Sequence, residues 1–346
     1  MSQDIKKKIY NIIEKFKDPA TKKYFSSKDS SINISHNDGH LNISIDIDPA
    51  HSTQYEEVKE KLTRDVKKLE GILTVNIILT SEKKVNNQNL SNNKFTINAR
   101  NIIAIASGKG GVGKSTFAVN FSVTLKKLGL KVGILDADIY GPSVPRMMGI
   151  SGRPQANQNN KLIPLENYGI KCMSIGFLIS VDTPAIWRGP MVMKALEQMF
   201  NGVEWEDLDY LIIDLPPGTG DAQLSLAQNS KLSGSIIIST PQDVALADAR
   251  KGINMFKKVN VPVLGLVENM SYFICNNCGE RHEIFSSGNV KKEAVKFETP
   301  FLGELPIDIN LRINSETGKP ISFTNPDGEI SKIYLSIAKK IHQNSN

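Results

Sequence analysis

Residues 108–116 are the most constraining feature of this 346-residue chain. They read Gly-Lys-Gly-Gly-Val-Gly-Lys-Ser-Thr, which has the glycine spacing and the Lys114-Ser115 pair of a phosphate-binding loop. An apolar run at residues 101–107 predicts a buried strand before the loop, and Phe117 and Phe121 follow it at helical spacing. A loop of this kind between a strand and a helix predicts an α/β fold in which phosphate oxygens lie at a helix N-terminus.

The residue types in this loop have separate roles in holding a nucleotide phosphate. Glycines let backbone N–H groups close around phosphate oxygens, a lysine meets the charge of the β- and γ-phosphates, and a hydroxyl ligates Mg²⁺. We therefore expect Lys114 to bind phosphate and Ser115 to bind Mg²⁺. The predicted nucleotide-binding residues of the loop are Gly108, Lys109, Gly110, Gly111, Val112, Gly113, Lys114, Ser115 and Thr116.

From residue 100 onward, short apolar runs alternate with helical patterns. The clearest predicted strands are residues 131–136, 169–175, 209–214, 234–240 and 261–268. This alternation predicts a mostly parallel sheet with helices on both faces. In such a fold, ligands bind beyond the carboxyl ends of the strands.

The chain is predicted to have two domains joined by a linker. Residues 1–80 have the pattern of a small α+β domain. Residues 81–98 are rich in Asn, Lys and Ser without sustained periodicity, which predicts a flexible linker. Residues 99–346 form the predicted P-loop domain. A composition of 40% hydrophobic and 23% charged residues suits a globular protein with a substantial core.

Three aspartates are predicted to lie at strand ends, within reach of a bound nucleotide. Asp214 follows an apolar run and precedes Gly218 and Gly220, so we expect it to help organise Mg²⁺ next to a loop that senses the terminal phosphate. We expect Asp138 to orient the attacking water, and Asp136 to support Mg²⁺ or the loop. The alternative for each is an ordinary turn or capping aspartate.

The cysteines give a second candidate site. Cys275 and Cys278 are separated by two residues and followed by glycine, a spacing that lets both thiolates turn toward one metal ion or cluster. Zinc or a 4Fe-4S cluster normally takes four protein ligands, so two chains would complete the set. Zinc with His282, or an idle or redox pair, are the alternatives. Cys172 is expected to be a buried structural cysteine.

Several strings resemble one family. Residues 108–116 resemble the deviant Walker A motif of MinD/ParA ATPases. The strings at residues 136–143, 187–191, 214–221, 240–245 and 268–271 together resemble the Mrp/ApbC iron-sulfur cluster carriers, and the similarity spans residues 95–345. Residues 1–80 more faintly resemble a MIP18-like domain, for which docking of a partner is the expected role.

The resemblance implies an ATP-hydrolysing homodimer that assembles 4Fe-4S clusters or transfers them to client apoproteins. It implies that Lys109 reaches the partner's nucleotide and acts in catalysis with Lys114, Asp138 and Asp214, and that Asn269 hydrogen-bonds the adenine. Cys275 and Cys278 would hold a 4Fe-4S cluster that bridges two subunits. ATP and Mg²⁺ would be the other cofactors. A MinD/ParA-like ATPase that binds membrane or DNA is the alternative.

Other features of the sequence limit the partners and the compartment. The N-terminus lacks an apolar signal core, and no apolar stretch reaches the roughly 20 residues of a membrane span, so we expect a cytoplasmic protein. The net charge is +6, without the arginine-aromatic pattern that would favour nucleic acid as a partner. The amphipathic pattern from Ile330 to Ile341 is expected to dock on the ATPase core rather than on a membrane.

Overall fold

The computed structural model describes residues 3–26, 32–37, 40–47, 51–69, 72, 74–80, 95, 97–139, 141–178 and 189–344. The chain divides into two compact units, Met1–Ser91 and Asn92–Asn346. Most of the predicted linker, and the Trp187-Arg188 pair in one of the family-like strings, lie outside the described residues. The predicted domain boundaries therefore stay a prediction.

The first unit contains a three-stranded sheet and two helices. Its elements are α1 (Gln3–Ile13), β1 (Ile32–Asn37), β2 (His40–Asp46), α2 (Ser52–Val66) and β3 (Thr74–Thr80). The strands lie in the order β1-β2-β3, with β1 antiparallel and β3 parallel to β2. Leu41, Ile43 and Ile45 alternate along β2 and are buried against Ile9 and Leu62 of the two helices. One face of the small sheet therefore forms the core of this unit.

The second unit begins its regular structure at residue 99. Its elements are β4 (Ala99–Ser107), α3 (Lys114–Lys127), β5 (Val132–Asp136), α4 (Val144–Met147), β6 (Leu165–Asn167), β7 (Ile170–Ser174), α5 (Gly189–Asn201), β8 (Leu208–Asp214), α6 (Asp221–Asn229), β9 (Gly234–Ser239), α7 (Asp243–Lys258), β10 (Val263–Glu268), β11 (Phe273–Ile274), β12 (Arg281–His282), α8 (Asn289–Lys296), β13 (Phe301–Glu304), α9 (Ile309–Glu316), α10 (Ile321–Thr324) and α11 (Glu329–Asn344).

The main sheet of the second unit has the strand order β13-β10-β9-β4-β8-β5-β7-β6. Its described strands run parallel except β6, which pairs antiparallel with β7. The interior strands β4, β5, β8 and β9 carry continuous runs of buried aliphatic residues, as expected for a parallel sheet covered on both faces. The predicted mostly parallel sheet is thus confirmed.

Four parallel strands end at the same edge of this sheet and bring polar residues together. β4 ends at Ser107, β5 at Asp136, β8 at Asp214 and β10 at Glu268. The P-loop joins β4 to α3 at this edge. The candidate nucleotide residues, which are far apart in sequence, therefore converge where the fold class places ligands.

The C-terminal helix α11 packs on the sheet domain. Tyr334, Ile337 and Ile341 are buried, and the Tyr334 ring centroid lies 5.6 Å from that of Phe117 in α3. The phenol oxygen of Tyr210 lies 3.0 Å from Nδ1 of His342. The apolar face of the helix is thus covered by the core of its own unit. Within the described residues, no helix has the length and hydropathy that a membrane crossing needs.

Candidate functional site

The P-loop requires glycine at two positions because of its backbone conformation, and at one of them also because of a close contact. Gly111 and Gly113 have φ values of +79° and +84°, in the region that side chains rarely adopt. A Cβ at Gly113 would also lie 2.2 Å from Nδ2 of Asn269. The loop therefore curves tightly into α3, which begins at Lys114 with its first N–H groups directed toward a ligand position.

Lys114 lies between two of the predicted acidic residues. Its Nζ is 2.6 Å from Oδ1 of Asp214 and 3.8 Å from Oδ2 of Asp138, and only 6% of its side chain is exposed. The Ser115 hydroxyl donates to Oδ2 of Asp214 at 2.6 Å. The structure thus brings together the predicted phosphate-binding lysine, the predicted Mg²⁺ ligand and the acidic residue at the end of β8.

Burial changes the acid–base chemistry of the carboxylates at this edge. Burial raises the pKa of Asp214, while the nearby Lys114 acts in the opposite direction. Burial, with a smaller contribution from Asp214, raises the pKa of Asp136 to about 8. Asp136 accepts hydrogen bonds from the backbone N–H of Asp138 at 3.1 Å and of Val144 at 3.2 Å, and from the Ser174 hydroxyl at 3.0 Å. These contacts show Asp136 organising the backbone that follows β5.

Asp138 carries a buried oxygen that fits the binding of water or a hydrated ion. Its Oδ1 is buried and has no hydrogen-bond partner among the residues that the structure describes. A buried carboxylate oxygen without a donor is costly, so this atom indicates a ligand position next to Lys114. The donor set of Ser115, Asp138 and Asp214 consists of oxygens, which suits Mg²⁺.

Lys109 is half-buried in the loop. It makes no ion pair with any residue in the described part of the chain. Its backbone carbonyl accepts a hydrogen bond from the Ser107 hydroxyl at 3.0 Å. The preceding residue, Gly108, is pressed against α7, since a Cβ there would lie 2.3 Å from the carbonyl carbon of Asp248. The backbone of Lys109 is thus held in place while its ammonium has no counter-charge within the described chain.

Asn269 lies beside the P-loop. Its backbone N–H donates to the Ser239 carbonyl and its side-chain Nδ2 to the Val112 carbonyl, both at 2.8 Å. A carboxamide has a second donor and an acceptor, so these contacts leave capacity for a base edge. The adenine-binding role of Asn269 stays a prediction, and its position next to the loop agrees with that role.

The CxxC motif lies at the tip of a small hairpin. The strands Phe273–Ile274 and Arg281–His282 pair antiparallel. The Cys275 N–H donates to the Glu280 carbonyl at 2.9 Å, and the Gly279 N–H donates to the Cys275 carbonyl at 2.8 Å. Gly279 has φ +73°, which closes the turn. Cys275 is half-buried and Cys278 is exposed, so both thiols are near the surface.

The hairpin favours a thiolate at Cys275. Hydrogen bonding from the backbone of Cys278, then from that of Asn277, lowers the pKa of the Cys275 thiol. Within the described residues, no group of three or more His, Cys, Asp or Glu side chains is arranged to hold a metal ion. In the described part of the chain, Cys275 and Cys278 therefore form a pair of thiols without a third ligand, and His282 is not grouped with them. Cys172 is buried in β7, as expected.

Some residues at the site were not singled out by the sequence analysis. Ser174 contacts Asp136, Asp248 lies under Gly108, and Glu268 is fully buried at the end of β10. Glu268 lies in the family-like string at residues 268–271, but the string alone predicts no role for its side chain. Ser174 and Asp248 have no distinguishing pattern, because their roles depend on contacts between distant segments.

Comparison with known proteins agrees with this geometry. Residues 98–342 match the family model described as ParA: NUBPL iron-transfer P-loop NTPase. An Arabidopsis thaliana protein named as an iron-sulfur protein required for NADH dehydrogenase, mitochondrial, is 56% identical over 243 residues, covering 70% of this chain and 78% of that protein. A Haemophilus influenzae iron-sulfur cluster carrier protein is 39% identical over 348 residues, covering 99% and 92% of the two chains.

A solved structure gives the same result at the level of the fold. A nucleotide-binding protein from Archaeoglobus fulgidus in complex with ADP has a TM-score of 0.58 and 42% identity, covering 64% of this chain and 88% of that one. The matches to the family model and to relatives along nearly the whole chain confirm the resemblance found in the sequence. The chain therefore belongs to the NUBPL iron-transfer family of P-loop NTPases.

Proposed function

We propose that this chain is an ATP-hydrolysing carrier that, as a homodimer, assembles 4Fe-4S clusters or transfers them to client apoproteins. One observation carries the proposal: a P-loop site with a buried Lys114–Asp214 pair occurs in the same unit as a surface CxxC pair that has no third ligand among the described residues. Relatives named as iron-sulfur cluster carrier or transfer proteins support the same cargo.

The proposed binding and hydrolysis of ATP are based on the residues at the sheet edge. Phosphate oxygens would replace the carboxylates as the counter-charge of Lys114, and Ser115 with Asp214 would hold Mg²⁺. Mg²⁺ would neutralise charge on the β- and γ-phosphates. Asp138 would accept a hydrogen bond from the attacking water through its unpartnered Oδ1. Lys109, which has no counter-charge in the described chain, would bind the partner's nucleotide.

The proposed binding of a 4Fe-4S cluster is based on the number of cysteine ligands that each chain offers. Each chain offers Cys275 and Cys278, so two chains related by a twofold axis offer the four thiolates that a 4Fe-4S cluster takes. A cluster shared between subunits is released when the subunits separate, which suits a cargo rather than a resident cofactor. A cytoplasm kept reducing by cellular thiols would keep both cysteines available as ligands.

The proposal is tested by reconstituting the purified protein anaerobically with iron and sulfide. We expect wild type to take up about two irons per chain, because one 4Fe-4S cluster would be shared by two chains. Cys275→Ala and Cys278→Ala should each lose the charge-transfer absorbance of the cluster. Iron, zinc and sulfide are measured per chain, together with visible absorbance.

Cys172→Ala is the matched control, since Cys172 is buried in β7 and should not ligate the cluster. This variant should retain the iron and sulfide content of wild type. Unchanged cluster absorbance in Cys275→Ala would refute the ligand assignment. Stoichiometric zinc without sulfide in anaerobically purified protein would instead favour a zinc-stabilised ATPase.

A further inference from the structure

Both ends of the segment that carries the cysteines are bound to one buried carboxylate. The segment, residues 269–288, leaves the sheet after β10 and returns at α8. Oε1 of Glu268 accepts hydrogen bonds from the Ser271 hydroxyl at 2.6 Å and the Gly288 N–H at 2.8 Å, and Oε2 accepts from the Val290 N–H at 2.8 Å. Glu268 is fully buried. Its position therefore determines where the cysteine segment starts and ends.

A second set of contacts joins Glu268 and Ser271 to the hairpin that carries the cysteines. Ser271 Oγ lies 3.2 Å from Oε2 of Glu304, whose Oε1 is 3.2 Å from Nη1 of Arg281. The Arg281 guanidinium lies 3.8 Å from the ring centroid of Tyr272. Arg281 belongs to β12, three residues after Cys278. Glu268, Ser271, Arg281 and Glu304, here called the Glu268 cluster, thus connect the strand end to the cysteine hairpin.

The same strand end contacts the nucleotide site on its other side. Asn269 follows Glu268 directly, and its side chain donates to the Val112 carbonyl of the P-loop at 2.8 Å. By contrast, among the described residues no hydrogen bond or ion pair joins residues 215–220, the loop after Asp214, to the cysteine segment. The Asn269 side chain therefore joins the P-loop to the first residue of the cysteine segment, directly beside Glu268, whose hydrogen bonds hold both ends of that segment.

We propose that Glu268 is a positioning residue that couples the nucleotide site to the cysteine pair. A displacement of Asn269 on nucleotide binding moves Glu268, and the Glu268 cluster passes this movement to Cys275 and Cys278. Hydrogen bonds to a buried carboxylate are among the stronger ones in proteins, so the link is stiff. The proposal rests on the proposed function only in taking the cargo of the cysteines to be an iron-sulfur cluster. The coupling itself requires nucleotide binding and can be measured without a cluster.

The test measures the reactivity of the thiols in the cluster-free protein. Alkylation of Cys275 and Cys278 by N-ethylmaleimide is followed by mass spectrometry, without nucleotide and with saturating Mg-ADP or a non-hydrolysable ATP analogue. We expect nucleotide to change the wild-type rate about fivefold or more, the lower range of ordinary coupling between sites. In Glu268→Gln this ratio should approach one, because an amide group cannot accept from all three donors.

Two internal controls separate coupling from damage. Cys172 is fully buried, so its labelling reports unfolding of the same unit. Nucleotide affinity, measured on each variant by equilibrium dialysis, shows that the P-loop is occupied. Glu280→Gln is the matched substitution, since Glu280 is an exposed carboxylate of the same segment whose Oε2 lies 3.8 Å from Nε2 of His282, outside the Glu268 cluster, and the change should leave the nucleotide response intact.

A Glu268→Gln variant that binds nucleotide and keeps the full wild-type response would overturn the proposal. So would a wild-type protein whose thiols ignore nucleotide, even if it takes up iron and sulfide normally, which separates this failure from that of the carrier function. If Glu268→Gln exposes Cys172 or loses nucleotide binding, Arg281→Met decides instead, because Arg281 is partly exposed and outside the core. A reduced response in Arg281→Met supports the link, and an unchanged response contradicts it.

Discussion

Burial gives Asp136 a chemistry that its sequence position alone does not reveal. Its pKa is raised from 3.8 to about 8 by burial and by the neighbouring Asp214. The folded protein therefore keeps a proton that the unfolded chain releases above about pH 4. Because the folded state binds more protons between these two values, the free energy of unfolding should decrease as the pH rises from about 4 to about 8.

Replacing Asp136 with asparagine should remove this contribution. Between pH 5 and pH 8, wild type should lose up to about 1.4 kcal/mol per pH unit more than Asp136→Asn. Urea unfolding at several pH values, followed by tryptophan fluorescence, measures the difference without nucleotide. The signal reports the second unit alone, because Trp187 and Trp205 both belong to it. Parallel pH profiles for the two proteins would show that Asp136 is ionised in the fold.

At the scale of single residues, the sequence predicted which residues form the site better than it predicted the contacts between them. Lys114 and Ser115 lie in a local motif, and Asp214 follows a recognisable strand, so the fold class was enough to bring them together at one sheet edge. The acceptor role of Asp136 toward Ser174 was not predictable, because it joins residues 38 positions apart. The contacts of Glu268 were equally hidden, since two of its three donors, Gly288 and Val290, lie 20 and 22 positions further along the chain.

At the scale of elements, continuous apolar runs were the reliable signal. All six predicted strands of the second unit occur within two residues of their predicted ends. β6, β11, β12 and β13 were missed because strands of two to four residues show no sustained periodicity. β1 has six residues with only two aliphatic side chains, Ile32 and Ile34, which is too short an alternation to stand out. Pairing with a neighbouring strand, rather than pattern, determines these elements.

The packing of the P-loop on α7 gives a prediction at this scale. A methyl group at Gly108 would collide with the backbone of Asp248, at 2.3 Å from its carbonyl carbon. Because backbone cannot rotate away, Gly108→Ala should destabilise the second unit by about 1–3 kcal/mol. It should also weaken nucleotide binding, since α7 or the loop must shift. Thermal unfolding without nucleotide and equilibrium dialysis with Mg-ADP measure the two effects.

Gly110→Ala is the matched control in the same loop. A Cβ at Gly110 would have only Cγ of Pro217 within reach, at 4.0 Å, and Gly110 has no positive φ. Its thermal unfolding should therefore remain close to that of wild type. If Gly108→Ala and Gly110→Ala unfold at the same temperature, the contact with α7 does not constrain the loop.

At the scale of the whole molecule, two sites in the second unit lack part of their binding groups when only one chain is present. The cysteine hairpin offers two thiols and no third ligand, and Lys109 has no counter-charge, both within the described residues. A twofold homodimer would complete both, since each chain would contribute the same residues to its partner. The two requirements are independent, because one concerns a cluster and the other a triphosphate. The ATPase activity alone can therefore test the dimer.

Mixing two inactive variants tests whether Lys109 acts on the partner's nucleotide. Lys109→Ala and Lys114→Ala should each hydrolyse ATP poorly as homodimers. In a mixed dimer, one site combines the intact Lys114 of one chain with the intact Lys109 of the other, and the second site lacks both. An equimolar mixture should recover about a quarter of the wild-type rate per chain, because half of randomly formed pairs are mixed and each has one complete site. ATP turnover is measured after the variants exchange subunits, and native mass spectrometry measures the fraction of mixed pairs. If mixed pairs form but turnover stays at the level of the separate variants, Lys109 serves the nucleotide of its own chain.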